Sequence, residues 1–500
     1  MAEREHLFAS IARSVRLGPN RPAIIFGTQS VSYEVLWNAA SSIGSQLHSL
    51  GIAPADPVAV LLPTCPEMLV AFMGLGRIRA VIVPVYWESS SEEVHQILRS
   101  VGARVLLTTT EGRERHMKVI EELGVQPIVL QENAEPLRRW DLPEIAIVQE
   151  SLPAPDDVAA IIHTSGTTGG PKGVVLSQGY FSAIGAIICA GYGLGAADRM
   201  LSAVPLHTVF GWGAIAVPML MSGGTIVMAP RFTPAIALDL MARHRVSFMF
   251  GVPTMFAMML NFEEREKFTL DGLRLCVAGG SVLPPELVRR WEEETGVPLL
   301  NYYGSTEAAA LAFERPFDRR PGSIGTCGIG IQLRIVDEQF RDVPENAVGE
   351  IIASGPTTML RYHAQPEMTA HVKRGEWVGT GDLGYRDAEG YFYVSGRKKD
   401  IVIRGGANVS TSEVESVLLR HLDISEAAVG GVPDDVFGER IKACLIARSG
   451  ARLVADDIRS FCAKHLSDYK VPELIEIWTE FPRNATGKIL KTALKHQHPK

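Results

Sequence analysis

Cysteine is scarce in this chain: Cys65, Cys189, Cys276, Cys327, Cys444 and Cys462 are all there is in 500 residues. No two of them form a CxxC pair and none sits in a Cys/His cluster. That spacing excludes a zinc ribbon, a dithiol redox centre and a disulfide-dense secreted scaffold. Charge of one sign is missing as well. Lys and Arg number 49 against 56 Asp and Glu, a net charge of −7 spread without long runs, so nothing electrostatic argues for nucleic acid or another polyanion as a partner. The first residues lack the apolar run of a signal peptide, and with the cysteine pattern this gives the expectation of a reducing cytoplasm. Two catalytic signatures are also absent: a GxSxG nucleophile elbow and the Walker pattern GxxxxGK[ST]. There is no internal repeat and no low-complexity linker.

What is present reads as a globular protein. Hydrophobic residues make up 46% of the chain and charged residues 21%, the balance of a packed protein, and the length calls for more than one core. The opening residues, with Phe8, Ile11 and Val15 on one face, read as an amphipathic helix. Residues 201–230 carry no charge and are long enough to span a bilayer. However, Pro205, Gly211, Gly213, Pro218, Gly223 and Gly224 break the stretch, so a buried helix followed by a buried strand that walls an apolar pocket is expected, and no membrane span.

The first third alternates short apolar runs (58–62, 80–85, 104–109) with helical stretches, one of them opened by a capping box at Ser90 and Glu93. Weaker alternation continues through 222–229, 246–253 and 273–280. The pattern predicts an α/β fold with a parallel sheet covered on both faces. Near residue 380 the texture turns to hairpins with turns near Asp387 and Gly390. After Lys399 about a hundred residues read as a compact α+β unit.

The strongest local signal is HTSGTTGGPKGVVLS, residues 163–177, after an apolar run. Gly166, Gly169 and Gly170 let backbone N–H groups converge. Thr164, Ser165, Thr167 and Thr168 add hydroxyls, and Lys172 adds a positive charge. Converging donors around a cation suit a polyphosphate. Elsewhere NYYGSTE (301–307), read by itself, is a strand end followed by a helix-start carboxylate.

The 163–177 stretch resembles the phosphate-binding signature of the adenylate-forming superfamily, which includes acyl- and aryl-CoA ligases, peptide-synthetase adenylation domains and beetle luciferases. NYYGSTE, TGDLG (380–384), GRKKDIVIRGGANVS (396–410) and NATGKILK (484–491) resemble its remaining signatures in order and spacing. The resemblance implies that Tyr303 stacks on adenine, Thr306 holds the α-phosphate and Glu307 binds magnesium. It implies that Asp382, in a ribose-binding turn, takes the ribose hydroxyls and that Arg397 contacts ribose and phosphate. Gly279 and Gly280 join the nucleotide-binding set. Lys488 would be the catalytic lysine, Lys399 the pivot of a mobile lid, and Gly405 and Gly406 the lining of a thiol channel. Many relatives have Glu-Asn-Val-Tyr-Pro where this chain has Ala407 to Thr411, which leaves the thiol-side contacts open.

The implied architecture is a large N-terminal domain of layered sheets and helices, residues 1–398, plus a small mobile α+β C-terminal domain, residues 399–500. The implied reaction uses ATP and Mg²⁺ to adenylate a small-molecule carboxylic acid, then passes the acyl group to coenzyme A; the alternative acceptor is the phosphopantetheine of an acyl carrier protein. A nucleotide-binding protein without catalysis is a third reading, opposed by Lys172, Glu307, Asp382, Arg397 and Lys488. For the acid pocket, His207, Phe210, Trp212, Met255, Met258 and Gly304 are the candidates. With no acidic residue before Glu307 in segments 205–215, 251–260, 278–283 and 301–310, a substrate ammonium would lie unpaired in an apolar wall, so a hydrophobic aliphatic or aromatic acid is expected. His207 stands one position away from the histidine of Pro-Leu-Phe-His in many CoA ligases, and both a structural and a functional role stay open. The oligomeric state is not set by the sequence.

Overall fold

The alternating segments of the first third form a sheet with parallel central strands. Pro57–Leu61 lies between Val81–Val85 and Val105–Thr108, and Gln126–Val129 follows outward. The computed structural model describes residues 6–131, 137, 153–164, 171–404, 407–434, 436–448, 450–483 and 489–496. Among these, the helix Ser91–Val101 begins with the expected capping box, the Ser90 side chain and Glu93 side chain each taking the other's backbone N–H and so satisfying two donors that a helix start leaves free. The sheet is completed by an antiparallel hairpin, Val158–Thr164 with Lys172–Ser177, and by the short edge strand Arg361–Tyr362.

The later strand signals do not extend this sheet. Arg199–Ser202, Thr225–Met228, Phe248–Gly251, Leu275–Gly279 and Leu299–Tyr303 build a second, nine-stranded sheet, parallel at its centre and antiparallel at both edges. Period-2 burial explains why a single parallel sheet does not suffice. On Pro57–Leu61, Val58 and Val60 face the main core shared with the second sheet, whereas Ala59 and Leu61 face a separate cluster with Val94, Ile97 and Leu98 of the capped helix. Apolar side chains on both faces need two covering layers, and the second sheet with its helices supplies one of them.

The uncharged stretch follows its expected course. A π-helical turn, Phe210–Ala216, runs into the helix Val217–Ser222 and then the strand Thr225–Met228. Among the described residues no helix is long and apolar enough to cross a membrane. The opening helix, Leu7–Leu17, buries Leu7, Phe8 and Ile11.

A five-stranded antiparallel sheet follows, in which Trp377–Arg386 pairs with Phe392–Arg397 across a tight turn where Asp387 Oδ1 accepts the Tyr391 N–H at 2.8 Å. The chain then changes core. Phe392 and Val394 belong to the main core, but Val402, Val409, Val414, Leu418, Ile441 and Ile458 form a core of their own. Around it lie the helices Thr411–Leu418 and Ala455–Ala463 and a five-stranded sheet. A unit that buries its own apolar side chains is a domain in the physical sense. It touches the preceding hairpin through the hydroxyls of Ser410 and Ser412, which both donate to the Ser395 carbonyl.

Candidate active site

Three segments from different sheets supply the candidate residues. The first is the hairpin at 158–177. Thr164 and Lys172 face each other across its last described pair, so the Gly- and hydroxyl-rich segment is flanked by two strands, whereas a Walker loop leads into a helix. Ser165, Gly166, Thr167, Thr168 and Gly169, along with Gly170, lie outside the described residues. Below the tip, burial pushes the His163 imidazole down to about 4, with His363 adding to the shift.

The second segment is the reversal between the antiparallel strands Leu299–Tyr303 and Ala312–Phe313. Tyrosine hydroxyls shape it. The buried Tyr180 donates to the Thr306 carbonyl at 2.9 Å, Tyr302 Oη accepts the Ala310 N–H at 2.9 Å, and Tyr362 donates to Glu307 Oε1 at 2.9 Å. Gly304 is closely packed: a Cβ there would meet the Ala310 nitrogen at 3.0 Å. Beside this reversal the neighbouring strand ends at Gly279 and Gly280. A Cβ on Gly279 would lie 2.9 Å from the Tyr302 ring, and Gly280 has a φ of +79°, which only glycine adopts freely.

The third is the hairpin that carries Asp382 and Arg397, which are direct cross-strand partners. Asp382 Oδ2 accepts from the Tyr303 hydroxyl at 2.7 Å and Asp382 Oδ1 pairs with Arg397 Nε at 2.9 Å. Asp382 is 5% exposed, and Thr380 Oγ1 further orients it by accepting its backbone N–H at 3.1 Å. Burial, with the Asp382 carboxylate beside it, raises the Tyr303 phenol well above its ordinary range, so the hydroxyl stays a donor. The structure therefore joins Tyr303, Asp382 and Arg397, which lie far apart in sequence. It also corrects one expectation: TGDLG is not a turn. It lies inside the strand Trp377–Arg386, where Gly381 has a φ of +71° and the register slips between Leu383 and Gly384.

The apolar candidates separate. Phe210 is partly buried, edge-on to Phe250 at 5.0 Å and parallel to Tyr302 at 6.5 Å. Met255 is buried on the helix Pro253–Leu260, and its sulfur flanks Gly251. Trp212, only 2% exposed, lies in the main core, stacked on Phe72 at 4.5 Å and edge-on to Phe181. Met258, on the same helix as Met255, is 50% exposed. His207 packs against Tyr86 with ring centres 4.8 Å apart, and burial lowers its imidazole to about 4, so it is neutral near pH 7. Tyr86, Tyr180 and Tyr362 had no signal in the sequence beyond their residue type, and Tyr302, although inside NYYGSTE, was given no role there.

Lys488, Gly405 and Gly406 lie outside the described residues, as does the side chain of Lys399, whose backbone is in the short 3₁₀ turn Lys398–Asp400. Both flanks of Lys488 are anchored. Arg483 pairs with Glu426, and Lys491 Nζ reaches Glu415 Oε1 at 2.6 Å.

A metal would find one carboxylate here. Among the described residues no group of three or more His, Cys, Asp or Glu side chains is placed to hold an ion. Glu307 Oε1 accepts from Tyr362, and no hydrogen bond or ion pair among the described residues occupies Oε2. One carboxylate plus phosphate oxygens and water is a donor set that Mg²⁺ takes readily, so the residues present fit it.

Two stacked mixed sheets, with a small separate α+β unit behind a hairpin, define the class: an adenylate-forming enzyme. ATP-bound MatB from Rhodopseudomonas palustris matches with a TM-score of 0.91, at 27% identity and covering 98% of each chain. An anthranilate CoA ligase, AuaEII, in complex with anthranoyl-AMP matches with a TM-score of 0.90 at 28% identity, over 98% of this chain and 96% of the other. The chain belongs to the AMP-binding enzyme family, whose model matches residues 11–363, with the family's C-terminal domain at residues 413–488. Among its relatives, a sulfoacetate–CoA ligase of Cupriavidus necator is 33% identical, with 98% of this chain and 97% of the relative covered. A feruloyl-CoA synthase of an Amycolatopsis species is 32% identical over 97% of each. The enzyme class is thus that of AMP-forming acid–thiol ligases.

Proposed function

We propose that this enzyme uses ATP and Mg²⁺ to adenylate a hydrophobic carboxylic acid and transfers the acyl group to the thiol of coenzyme A. The observation that carries the nucleotide half is the Tyr303–Asp382–Arg397 set. A carboxylate has capacity for about four hydrogen bonds, so Asp382 can hold its two protein donors and still accept from a ribose. The Tyr303 hydroxyl is tied at the ring's edge, which holds the ring in place for stacking on adenine. Gly279 and Gly280 close the same end of the site.

In the first step an oxygen of the acid attacks the α-phosphorus, the bond to the bridging oxygen breaks, and pyrophosphate leaves with that electron pair. Bringing the two anions to about 4 Å costs on the order of 4 kcal/mol per charge pair at an effective dielectric near 20, roughly a thousandfold in rate. Lys488 and Lys172 offset this repulsion, and Thr306 with the 163–174 loop holds the phosphates. Magnesium, when bound at Glu307, supplies further positive charge to the phosphate oxygens. In the second step the CoA sulfur attacks the acyl carbon, AMP leaves with the bonding pair, and the thiol proton passes to solvent. The small domain, pivoting at Lys399 at the 398/399 boundary, withdraws Lys488 and brings Gly405 and Gly406 toward the thiol.

For the acid, Phe210 with Phe250 and Tyr302 favours a hydrophobic or aromatic body, with Met255, Gly304 and the neutral His207 nearby. The relatives' substrates differ too widely to name it: they include sulfoacetate, ferulate, indoleacetate and oxalate ligases at 32–33% identity. CoA is preferred to a carrier protein because those relatives are CoA ligases. ATP–pyrophosphate exchange across a panel of acids tests the reading. Exchange is expected with hydrophobic acids. Preference for sulfoacetate or oxalate would overturn the pocket assignment, and silence with every acid would overturn the function.

A further inference from the structure

Tyr362 stands at a junction that the sequence motifs leave unassigned. Its strand, Arg361–Tyr362, pairs with Val174 and Val175 of the hairpin strand that starts at Lys172. The segment just before it lies on the Glu307 loop: the Met359 N–H donates to the Glu307 carbonyl at 2.7 Å, and the Leu360 N–H donates to the Val175 carbonyl at 2.9 Å. The strap from 359 to 362 thus ties the phosphate-loop hairpin of one sheet to the edge loop of the other. At its end the Tyr362 hydroxyl donates to Glu307 Oε1 at 2.9 Å.

We propose that Tyr362 is a positioning residue that fixes the Glu307 carboxylate with one oxygen tied and the other presented to a divalent cation carried by ATP. The physical reason is entropic and geometric. An unrestrained glutamate samples several rotamers and can turn either oxygen toward the ion. A donor on one oxygen removes that freedom before the ion arrives. Because the donor's strand pairs with Val174 and Val175 of the strand that begins at Lys172, the same bond ties the metal ligand to that strand. The inference rests on the proposed metal role of Glu307.

The test is equilibrium binding without any acid substrate, comparing MgATP with AMP on the full-length enzyme by calorimetry. AMP reports on Tyr303, Asp382 and Arg397 but needs no metal. Tyr362→Phe keeps the ring and deletes only the hydroxyl. MgATP affinity should fall about tenfold, the lower end of what loss of an outer partner costs a metal site. AMP affinity should stay within about twofold, and the Mg²⁺ concentration giving half-maximal pyrophosphate exchange should rise in parallel. Thr369→Val removes a different anchor of the same strand, the hydroxyl that accepts the Tyr362 backbone N–H at 3.0 Å, and should not discriminate MgATP from AMP. Glu307→Gln separates the two layers of the argument. If it fails to weaken MgATP selectively, the metal role of Glu307 is wrong. If it weakens MgATP selectively while Tyr362→Phe does not, or if Tyr362→Phe weakens MgATP and AMP equally, the positioning role is overturned.

Discussion

At the scale of single residues, the chemistry divides by protonation and by partner. Lys488→Ala should abolish pyrophosphate exchange while sparing acyl transfer from supplied acyl-adenylate; equal loss of both steps would refute that division. Asp382→Asn replaces a carboxylate that takes two donors, one of them cationic. Charge-assisted bonds are roughly twice as strong as neutral ones, so KM for ATP should rise about tenfold or more, measured by exchange at saturating acid. A residue outside the motifs sets a pH dependence. Glu314 is buried, and burial raises its carboxyl to about 7 despite the Asn301 N–H and nearby Arg319, which pull it down. The folded state therefore holds a proton that the unfolded chain releases near pH 4.5. This contribution is full below that pH and is lost as pH rises through about 7. Glu314→Gln should remove that loss, seen as a flatter decline in melting temperature between pH 5 and 8.

At the scale of elements, the π-helical turn shows what sequence pattern can and cannot separate. Phe210 and Trp212 are two residues apart, both aromatic, in one uncharged run. On the turn their rings diverge, Phe210 toward Phe250 and Tyr302 and Trp212 onto Phe72. Trp212→Ala should destabilise the fold by about 3–5 kcal/mol, the cost of emptying a large aromatic site in a core. Phe210→Ala should instead raise KM for the acid with a smaller loss of stability; thermal melts beside acid titrations check both. Strands and helices were legible because period and capping are local: the Ser90–Glu93 box and the apolar runs at 58–62 and 80–85 became elements. The layered sheets followed only from the resemblance; which strands share a sheet was not legible from the strand pattern, because a short parallel strand carries no mark of which neighbour it will pair with. Nor was the strand through TGDLG, since Gly381 and Asp382 have a turn's composition and cross-strand pairing decided the matter.

At the scale of the whole molecule, two cores meet where the chain crosses from Val394 to Val402, and among the described residues few polar bonds join them. Ser410 and Ser412 share the Ser395 carbonyl. The double change Ser410→Ala with Ser412→Ala loosens this pose without touching either core, so the two half-reactions should change by unequal factors in single-turnover assays. Equal factors would mean that the contact only supports stability. By itself the sequence determined the family, the adenylation chemistry and the motif residues expected to carry it, because loops that cradle phosphate need particular residues at fixed local spacing. Only the tertiary structure decided which aromatic ring belongs to the core and that Asp382 unites Tyr303 with Arg397. It alone placed a hydroxyl of the Arg361–Tyr362 strand on Glu307. Those are contacts between segments far apart in the chain, and they exist only after both sheets have formed and brought their edges together.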